Sequence, residues 1–249
     1  MTRPYVLLSC AMSIDGYLDR ETPCKLTMSN AADFDRVDQL RAESDAIMVG
    51  ASTVRRDDPH LMVRSEERRL LRLAAGRSCS PIKVTVTATG DLSPEAAFFA
   101  DEDVEKLVYC PQAIARRIAA KLGSAATVIG IGAQVSMGAV ARDLGDRGVR
   151  RLMVEGGGHL HTQFIVDELA DELQLVIAPF FVGEPGAPRF VEAGRFPWTA
   201  SRRARLAESR AIADVVLLRY ALSDRFDGPS VTAEADAESA SAGSLRPRP

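Results

Sequence analysis

The chain has 249 residues and a formal net charge of −3 at pH 7. This balance gives no argument for binding to nucleic acid or to an anionic membrane, which attract an excess of lysine and arginine. No run of about 18 apolar residues is present, and residues 1–4 lead directly into an apolar segment, so we expect neither a membrane span nor a secretion signal. The cysteines (Cys10, Cys24, Cys79 and Cys110) are scattered without a CxxC pair, which favours reduced thiols and a cytoplasmic location.

The composition changes near residue 223. From there onward small and charged residues predominate, and large apolar residues are almost absent. Such a segment cannot bury enough apolar surface to offset the entropy lost on ordering. We therefore predict one folded domain over residues 1–222 and a disordered tail over residues 223–249.

Apolar segments of strand length alternate with helical segments along most of the chain. The first strand is predicted at residues 5–11, and a helix capped at Asn30 follows and continues to Arg41. The polar, arginine-rich stretch at residues 64–77 is predicted to be a surface connection. Further strands are predicted at residues 46–49, 82–87, 107–109, 127–129 and 151–154, and further helices at residues 114–122 and 135–144.

This alternation predicts an α/β fold in which a mostly parallel sheet carries helices on both faces. The end of the domain differs, because three strands are predicted at residues 173–177, 204–208 and 215–220. The turn at residues 212–214 leaves no room for a crossover helix. We therefore expect antiparallel pairing of the C-terminal strands at one edge of the sheet.

The most informative segment follows the strand at residues 151–154. Glu155 is followed by three glycines, Gly156, Gly157 and Gly158, and apolar residues then return with helical spacing. A strand that turns through glycines into a helix exposes main-chain N–H groups, and the helix N-terminus adds partial positive charge. The segment is therefore a candidate phosphate-binding turn. A tight strand-to-helix turn without a ligand would also explain the glycines.

A second motif begins at Gly50, again at the end of a strand. Thr53 lies at the start of a predicted helical turn, where its hydroxyl and free N–H groups can meet an oxyanion. The sequence Asp57-Asp58-Pro59 ends that turn, because the residue before a proline disfavours the helical conformation. Asp57 is a candidate site residue, although a carboxylate that caps a turn would produce the same pattern.

Two arginines and one histidine complete the candidates. Arg41 and Arg64 can each grip a phosphate through two parallel hydrogen bonds, but a single arginine is more often a solvated surface charge. His159 and His161 lie two positions apart, so they cannot share one helical face, and we expect no metal site there. His159 is instead predicted to border a cofactor phosphate.

Several motifs follow one another along the chain: Pro4-Tyr5-Val6, Ser13-Ile14-Asp15-Gly16, Leu40-Arg41-Ala42, Gly50-x-x-Thr53-Val54, Asp57-Asp58-Pro59-x-Leu61-x-Val63-Arg64, Glu155-Gly156-Gly157, Asp171-Glu172-Leu173 and Ile177-Ala178-Pro179. Their order resembles that of one enzyme family, the pyrimidine reductases of riboflavin biosynthesis. That family comprises the reductase half of the bacterial bifunctional deaminase-reductase and the free-standing archaeal and fungal reductases. The resemblance extends from Pro4 to Leu222.

The resemblance implies a dihydrofolate-reductase-like fold, a homodimer and NADPH as the hydride donor. It implies reduction of a phosphoribosylamino-pyrimidine to the ribitylamino-pyrimidine phosphate, in which the sugar opens to an imine and hydride goes to its C1′ carbon. It assigns to the NADPH site Thr53, Asp57, Gly156, Gly157, Gly158, His159 and Leu160, and to the substrate site Arg41, Leu61, Arg64 and Glu155. Asp57 and Glu155 are the candidate catalytic residues, which would steady the cationic imine or relay a proton.

The chain also departs from the family pattern. Ser9 lies where bifunctional bacterial members carry lysine, and Thr87-Ala88 lies where the family often has Asp-Ser. The zinc-deaminase pattern, His-x-Glu with a later Pro-Cys-x-x-Cys, is absent from the sequence. Both the deaminated and the diamino pyrimidine therefore stay open as substrates.

Two other functions fit the same residues. One is a related reductase that acts on a pteridine, a dihydrofolate-type compound or a specialised metabolite, and the other is a nucleotide-binding regulator without catalysis. The positions of Arg41 and Arg64 distinguish the possible substrates. A phosphorylated substrate is favoured if both side chains point into the binding pocket.

Overall fold

The computed structural model describes residues 3–21, 26–100, 103–226 and 228. Within these residues one sheet is flanked by helices. The strands are β1 (Tyr5–Ser13), β2 (Ala46–Gly50), β3 (Ile82–Val86), β4 (Lys106–Cys110), β5 (Thr127–Gly130), β6 (Arg151–Gly156), β7 (Glu172–Ala178), β8 (Arg205–Ile212) and β9 (Val215–Ala221). The helices are α1 (Ala31–Glu43), α2 (Ala51–Asp57), α3 (Glu66–Ala74), α4 (Ala115–Leu122), α5 (Met137–Asp146) and α6 (Gly158–Val166).

The strand order across the sheet is β5-β4-β3-β2-β6-β1-β7-β9-β8. Neighbouring strands from β5 to β7 are parallel. Strand β9 is antiparallel to both β7 and β8. The prediction of a mostly parallel sheet with antiparallel C-terminal strands is therefore confirmed.

Helices cover both faces of the sheet and make three layers. On one face α5 and α6 pack onto the sheet through residues that include Val140 and Phe164. On the other face α1 places Leu40 against Leu7 and Met153, and α2 and α4 cover the neighbouring strands. Burial of these apolar side chains is the main force that holds the layers together. No helix among the described residues is both long and apolar enough to cross a membrane.

The predicted surface connection at residues 64–77 lies mostly on the surface, but it contains a helix, α3, that was not predicted. Ser65 caps this helix by accepting a hydrogen bond from the Arg68 N–H at 3.3 Å. Arg72 is buried, and its guanidinium donates to the main-chain oxygens of Ala42 and Ser44. The helix is thereby fixed to the C-terminal end of α1.

The segment after β9 packs against the domain as far as the structure describes it. The Ser223 hydroxyl donates to Asp171 at 2.6 Å, and Arg225 lies 3.3 Å from the same carboxylate. The Phe226 ring lies 5.6 Å from the Arg219 guanidinium. The predicted disordered tail covers residues 223–249. Its first residues, 223–226, contact the domain, and residues 227 and 229–249 lie outside the described residues.

Candidate functional site

A cavity of about 840 Å³ lies along the C-terminal ends of the parallel strands. It extends from the segment after β1, across the ends of β2 and β6, to the loops after β3, β4 and β5. Ligands of open α/β sheets bind at this edge, and the volume lies within the ordinary range for ligand pockets.

The two glycine-containing motifs of the sequence meet in the lining of this cavity. Thr53, Asp57 and residues 157–160 all line it. A Cβ atom added to Gly157 would lie 3.4 Å from the Thr53 hydroxyl oxygen. Two segments that are about a hundred residues apart in the chain are therefore adjacent, as the prediction of a shared site requires.

The N-terminus of α6 faces the cavity without a side-chain cap. Gly157 is the N-cap residue, and its main-chain oxygen accepts from the N–H groups of Leu160 and His161. The N–H groups of the first helical residues have no partner within a helix, and the helix dipole adds positive potential there. An anion in the cavity can accept hydrogen bonds from these groups.

Gly156 and Gly158 have structural roles beside this turn. Gly156 has a φ of 140°, a conformation that side chains rarely adopt. A Cβ atom on Gly158 would lie 2.2 Å from the main-chain oxygen of Arg189. Glycine at position 158 therefore lets the segment around residue 189 pack directly on the start of α6.

His159 lies at the mouth of the cavity and is largely exposed. Its Nδ1 is 2.9 Å from a Glu192 carboxylate oxygen, and its Nε2 is 2.9 Å from the Gln163 side-chain nitrogen. All three residues line the cavity. Leu160 also lines it but is 5% exposed, and it belongs mainly to the core.

Arg41 and Glu155 form a two-point ion pair at the end of β6, and neither residue lines the cavity. Arg41 Nε donates to Glu155 Oε1 at 2.7 Å, and an Arg41 Nη donates to Oε2 at 2.6 Å. Each side chain is 13% exposed. Burial opposes the charge of Arg41, but the Glu155 carboxylate outweighs that effect and raises the pKa of the guanidinium.

Leu61 and Arg64 lie on the loop between α2 and α3, outside the cavity lining. Leu61 is buried with Val54 and has a φ of 49°. The Arg64 main-chain N–H donates to Asp38 at 2.5 Å. Its exposed side chain makes no hydrogen bond to the described residues.

Asp15, in the Ser-Ile-Asp-Gly motif, braces a loop. It accepts a hydrogen bond from the Ser13 hydroxyl at 2.6 Å and one from the Gly183 N–H at 2.8 Å. Partial desolvation opposes ionisation of this carboxyl, but these hydrogen bonds outweigh it and lower its pKa. Asp15 does not line the cavity.

Both ends of the cavity are formed by residues that the motifs did not predict. Leu18, Asp19 and Leu26 form the end next to β1, and Thr87, Thr89 and Pro111 contribute to the end beyond β3. Arg55 and Arg56 lie between them on α2. These residues could have been predicted only from the order of the strands, because residues that follow parallel strands gather at one edge of the sheet.

Comparison with known proteins shows which family the chain matches. Residues 4–218 match the RibD C-terminal domain family. The chain is 36% identical over 195 residues to the 2,5-diamino-6-ribosylamino-4(3H)-pyrimidinone 5′-phosphate reductase of Archaeoglobus fulgidus, covering 78% of this chain and 89% of that protein. A protein of the same name from Methanothermobacter thermautotrophicus is 33% identical over 190 residues, covering 76% of this chain and 84% of the relative.

Solved structures show the same fold. A deaminase/reductase from Thermotoga maritima superposes with a TM-score of 0.72 at 21% identity, over 88% of this chain and 56% of that chain. A pyrimidine reductase-like protein from Corynebacterium diphtheriae gives a TM-score of 0.71 at 22% identity, over 88% of this chain and 91% of that chain. The predicted dihydrofolate-reductase-like, three-layer α/β fold is confirmed by this likeness.

Proposed function

This chain belongs to the RibD C-terminal domain family, and we propose that it uses NADPH to reduce a phosphoribosylamino-pyrimidine to the ribitylamino-pyrimidine phosphate of riboflavin biosynthesis. One observation supports this proposal above the others. Thr53 and Gly157 lie next to each other in the lining of a single cavity at the carboxyl edge of the sheet. A dinucleotide needs such a site, in which bare main-chain N–H groups and a hydroxyl converge.

The residues of the cavity fit a pyridine dinucleotide. The uncapped start of α6 would hold the pyrophosphate, with Gly157, Gly158, His159 and Leu160 around it and Thr53 opposite. A side chain at Gly157 would enter the space between α6 and α2. When bound, the reduced nicotinamide supplies the hydride, so the protein needs to provide position, charge and a proton.

The substrate would lie beside β6, where Arg41 and Glu155 are paired. The Nε and one Nη of Arg41 already donate to the two carboxylate oxygens of Glu155. Arg41 is therefore poorly placed to bind a phosphate through two hydrogen bonds as well. Arg64 lies outside the cavity lining, but its exposed side chain makes no hydrogen bond to the described residues, so we assign the phosphate contact mainly to Arg64. Glu155 would hydrogen-bond the sugar hydroxyls or steady a cationic imine, and Asp57 would assist from the lining of the cavity.

We further propose that the diamino pyrimidine is the substrate. The relatives that are 36% and 33% identical are both named 2,5-diamino-6-ribosylamino-4(3H)-pyrimidinone 5′-phosphate reductase. A turnover assay would compare this compound with its deaminated counterpart and follow the loss of NADPH absorbance. Faster turnover of the diamino form is expected, and failure to reduce either compound would overturn the proposed function.

A homodimer is proposed on the same family grounds. The outer surface of the C-terminal hairpin supports it, because Leu206 and Val216 point from the same face of β8 and β9 and are 36% and 42% exposed. Burial of such a face in a second copy would be favourable. Sedimentation of the full chain would give twice the monomer mass if this is correct, and a monomer at micromolar concentration would contradict it.

A cytoplasmic location is also part of the proposal. Cys10, Cys79 and Cys110 are free thiols in the described part of the chain. Free thiols fit a reducing compartment, which is also where a phosphorylated intermediate and NADPH would be available.

A further inference from the structure

A second cavity, of about 180 Å³, lies at the edge of the sheet opposite to the candidate functional site. It is lined by Asp45 immediately before β2, Ile82 at the start of β3 and Val149 shortly before β6. These three strands are neighbours and run parallel, so the cavity lies at their amino ends. The proposed reduction uses the carboxyl ends of the strands, and this amino-edge cavity is therefore a separate site.

Positive charge dominates the amino-edge cavity. Arg72 on α3, Arg77 on the turn after α3 and Arg147 at the end of α5 line it, and Asp45 is the one carboxylate among the described residues of the lining. Arg147 also pairs at 2.6 Å with Asp143, which lies outside the lining. Three guanidinium groups therefore converge on a cavity whose lining supplies a single negative charge.

Asp45 is already engaged on both sides of its carboxylate. One oxygen lies 2.9 Å from an Nη atom of Arg77, and the other accepts from the main-chain N–H groups of Arg150 and Arg151 at 2.9 Å each. Asp45 makes no hydrogen bond to Arg72, whose donors go to main-chain oxygens. The carboxylate of the lining thus leaves part of the positive charge without a directly bonded anion.

Arg72 is the buried member of the group and is 4% exposed. Its Nε donates to the main-chain oxygen of Ser78 at 2.9 Å, and one Nη donates to those of Ala42 and Ser44 at 2.7 and 2.8 Å. Its second Nη carries two N–H donors and makes no hydrogen bond to the described residues. Burial, together with the charge of Arg77, lowers the pKa of Arg72 to about 10, so the guanidinium stays charged at neutral pH.

The unused donors fit a phosphate group. Besides the second Nη of Arg72, the Nε and one Nη of Arg77 make no hydrogen bond to the described residues. Guanidinium groups bind phosphate through charge-assisted hydrogen bonds, and a phosphate has enough oxygens to accept from several donors at once. Pockets for drug-sized organic ligands measure about 300–1,000 Å³. A cavity of 180 Å³ is therefore suited to a phosphate group and too small for a whole nucleotide.

We propose that Arg72, Arg77 and Arg147 form a binding site for a phosphate group, either inorganic phosphate or the phosphate of a small monoester. The ligand would join α3, the turn after α3 and the turn after α5. Because it would bind the folded chain and not the unfolded one, it would stabilise the fold. This inference does not depend on the proposed function, since it concerns the other edge of the sheet.

The experiment measures the affinity of the full chain for inorganic phosphate by titration calorimetry at constant ionic strength. Arg77→Ala and Arg147→Ala should each raise the Kd about tenfold or more, as expected for the loss of a charge-assisted contact. Arg142→Ala is the matched control, because it removes an exposed arginine of α5 that does not line the cavity. Arg72 is left in place, since its bonds to three main-chain oxygens hold α3 to the domain.

Thermal melting gives a second readout. Phosphate should raise the melting temperature of the wild type and of Arg142→Ala, and should raise that of Arg77→Ala far less. Melts without phosphate check that each variant is folded. The same titration with ribose 5-phosphate identifies the source of the ligand. If its binding weakens in the same two variants, the site accepts monoesters, whereas binding of inorganic phosphate alone limits the site to the free ion.

Two outcomes would overturn the inference. One is a wild type that binds no phosphate at millimolar concentration. The other is phosphate affinity that falls in Arg64→Ala but stays unchanged in Arg77→Ala and Arg147→Ala, because the ion would then bind at the proposed substrate site. Turnover of the pyrimidine by the wild type tests the proposed function separately, so either proposal can fail while the other stands.

Discussion

Arg41 and Glu155 are 114 positions apart in the sequence, yet they form a two-point ion pair with N···O distances of 2.7 and 2.6 Å. The pair joins α1 to the end of β6, immediately before the glycines of the phosphate-binding turn. A third contact, from Arg41 to the main-chain oxygen of Met62, connects the loop that carries Arg64. One guanidinium thus links three segments to which substrate contacts are assigned.

Glu155→Gln should lower both stability and activity. Removing one charge of a largely buried pair leaves the other uncompensated, which costs about 3 kcal/mol in the free energy of unfolding. The same change should raise the KM of the pyrimidine more than the KM of NADPH, since Glu155 is assigned to the substrate side. Urea denaturation and steady-state kinetics measure the two effects.

Two control variants sharpen this prediction. Arg41→Met combined with Glu155→Leu removes both charges and should be less destabilised than Glu155→Gln alone. Asp35→Asn disrupts an ion pair with Arg68 in which Asp35 is exposed, and should leave stability almost unchanged. An unaltered unfolding midpoint in Glu155→Gln would show that the Arg41–Glu155 pair contributes nothing to the stability of the fold.

Gly157→Val should fold and bind NADPH weakly. The backbone at Gly157 has a φ of −86°, which any residue can adopt, but the added side chain would enter the gap to the Thr53 hydroxyl. The Kd for NADPH should rise about tenfold or more, which corresponds to a loss of at least about 1.4 kcal/mol of binding free energy. Fluorescence titration with NADPH measures this Kd. An unchanged Kd would show that the turn at Gly157 does not bind the cofactor.

The neighbouring glycine provides a contrast to Gly157. Gly158→Ala should destabilise the fold, because its Cβ atom would meet the Arg189 main-chain oxygen at 2.2 Å. Gly138, half-buried in the first turn of α5, has no contact closer than 3.7 Å to an added Cβ atom. Gly138→Ala should therefore be tolerated and slightly stabilising, as expected for alanine within a helix.

The alternation of strands and helices could be predicted from sequence because apolar segments of the right length carry that information locally. Helix α3 could not be predicted in this way, because it buries a charged residue and exposes apolar ones. Arg72 is 4% exposed, whereas Leu70 and Leu71 are 59% and 63% exposed. A buried arginine that bonds main-chain oxygens appears in the sequence as a surface residue, so the segment was predicted only as a surface connection.

The candidate site was predictable only where it forms contiguous motifs. The glycine turn and the Thr53–Asp57 segment each carry a local pattern, and the structure brings them together. The contributions of Leu18 and Thr87 depend on strand order, which no local pattern encodes. The pairing of Arg41 with Glu155 likewise depends on packing of α1 against β6, so the sequence suggested a free arginine there.

Arg64→Ala should raise the KM for the pyrimidine phosphate far more than the KM for NADPH. A charge-assisted, two-point contact to phosphate corresponds to about a 10- to 150-fold change in affinity. Arg116→Ala is the matched control, because it removes an exposed arginine from α4, which packs against the edge strand β5. Equal changes in both KM values would show that Arg64 does not contact the substrate phosphate.

His161 should make the fold sensitive to mild acid. Its side chain is completely buried on α6, and neither ring nitrogen has a hydrogen-bond partner among the described residues. Burial lowers the pKa of His161 from 6.5 to about 4, and nearby main-chain groups of Val154 and Phe190 offset this only in part. The folded protein therefore keeps the neutral imidazole at pH values where the unfolded chain is protonated.

The sign of the effect follows from proton uptake. Between pH 6.5 and about pH 4 the unfolded state binds one proton more than the folded state at this residue, so stability falls as the pH falls. The stability that His161 contributes is fully present above pH 6.5 and should be reduced by about 2 kcal/mol at pH 5. Urea denaturation at pH 7 and pH 5 measures the difference.

His161→Leu should remove this part of the pH dependence, whatever its effect on stability at pH 7. The diagnostic quantity is the change in unfolding free energy between the two pH values, which should be smaller in the variant than in the wild type. His159→Gln removes an exposed histidine from the same helix and should retain the wild-type change. If His161→Leu loses as much stability on acidification as the wild type, another group causes the acid sensitivity, and the buried imidazole is not the source.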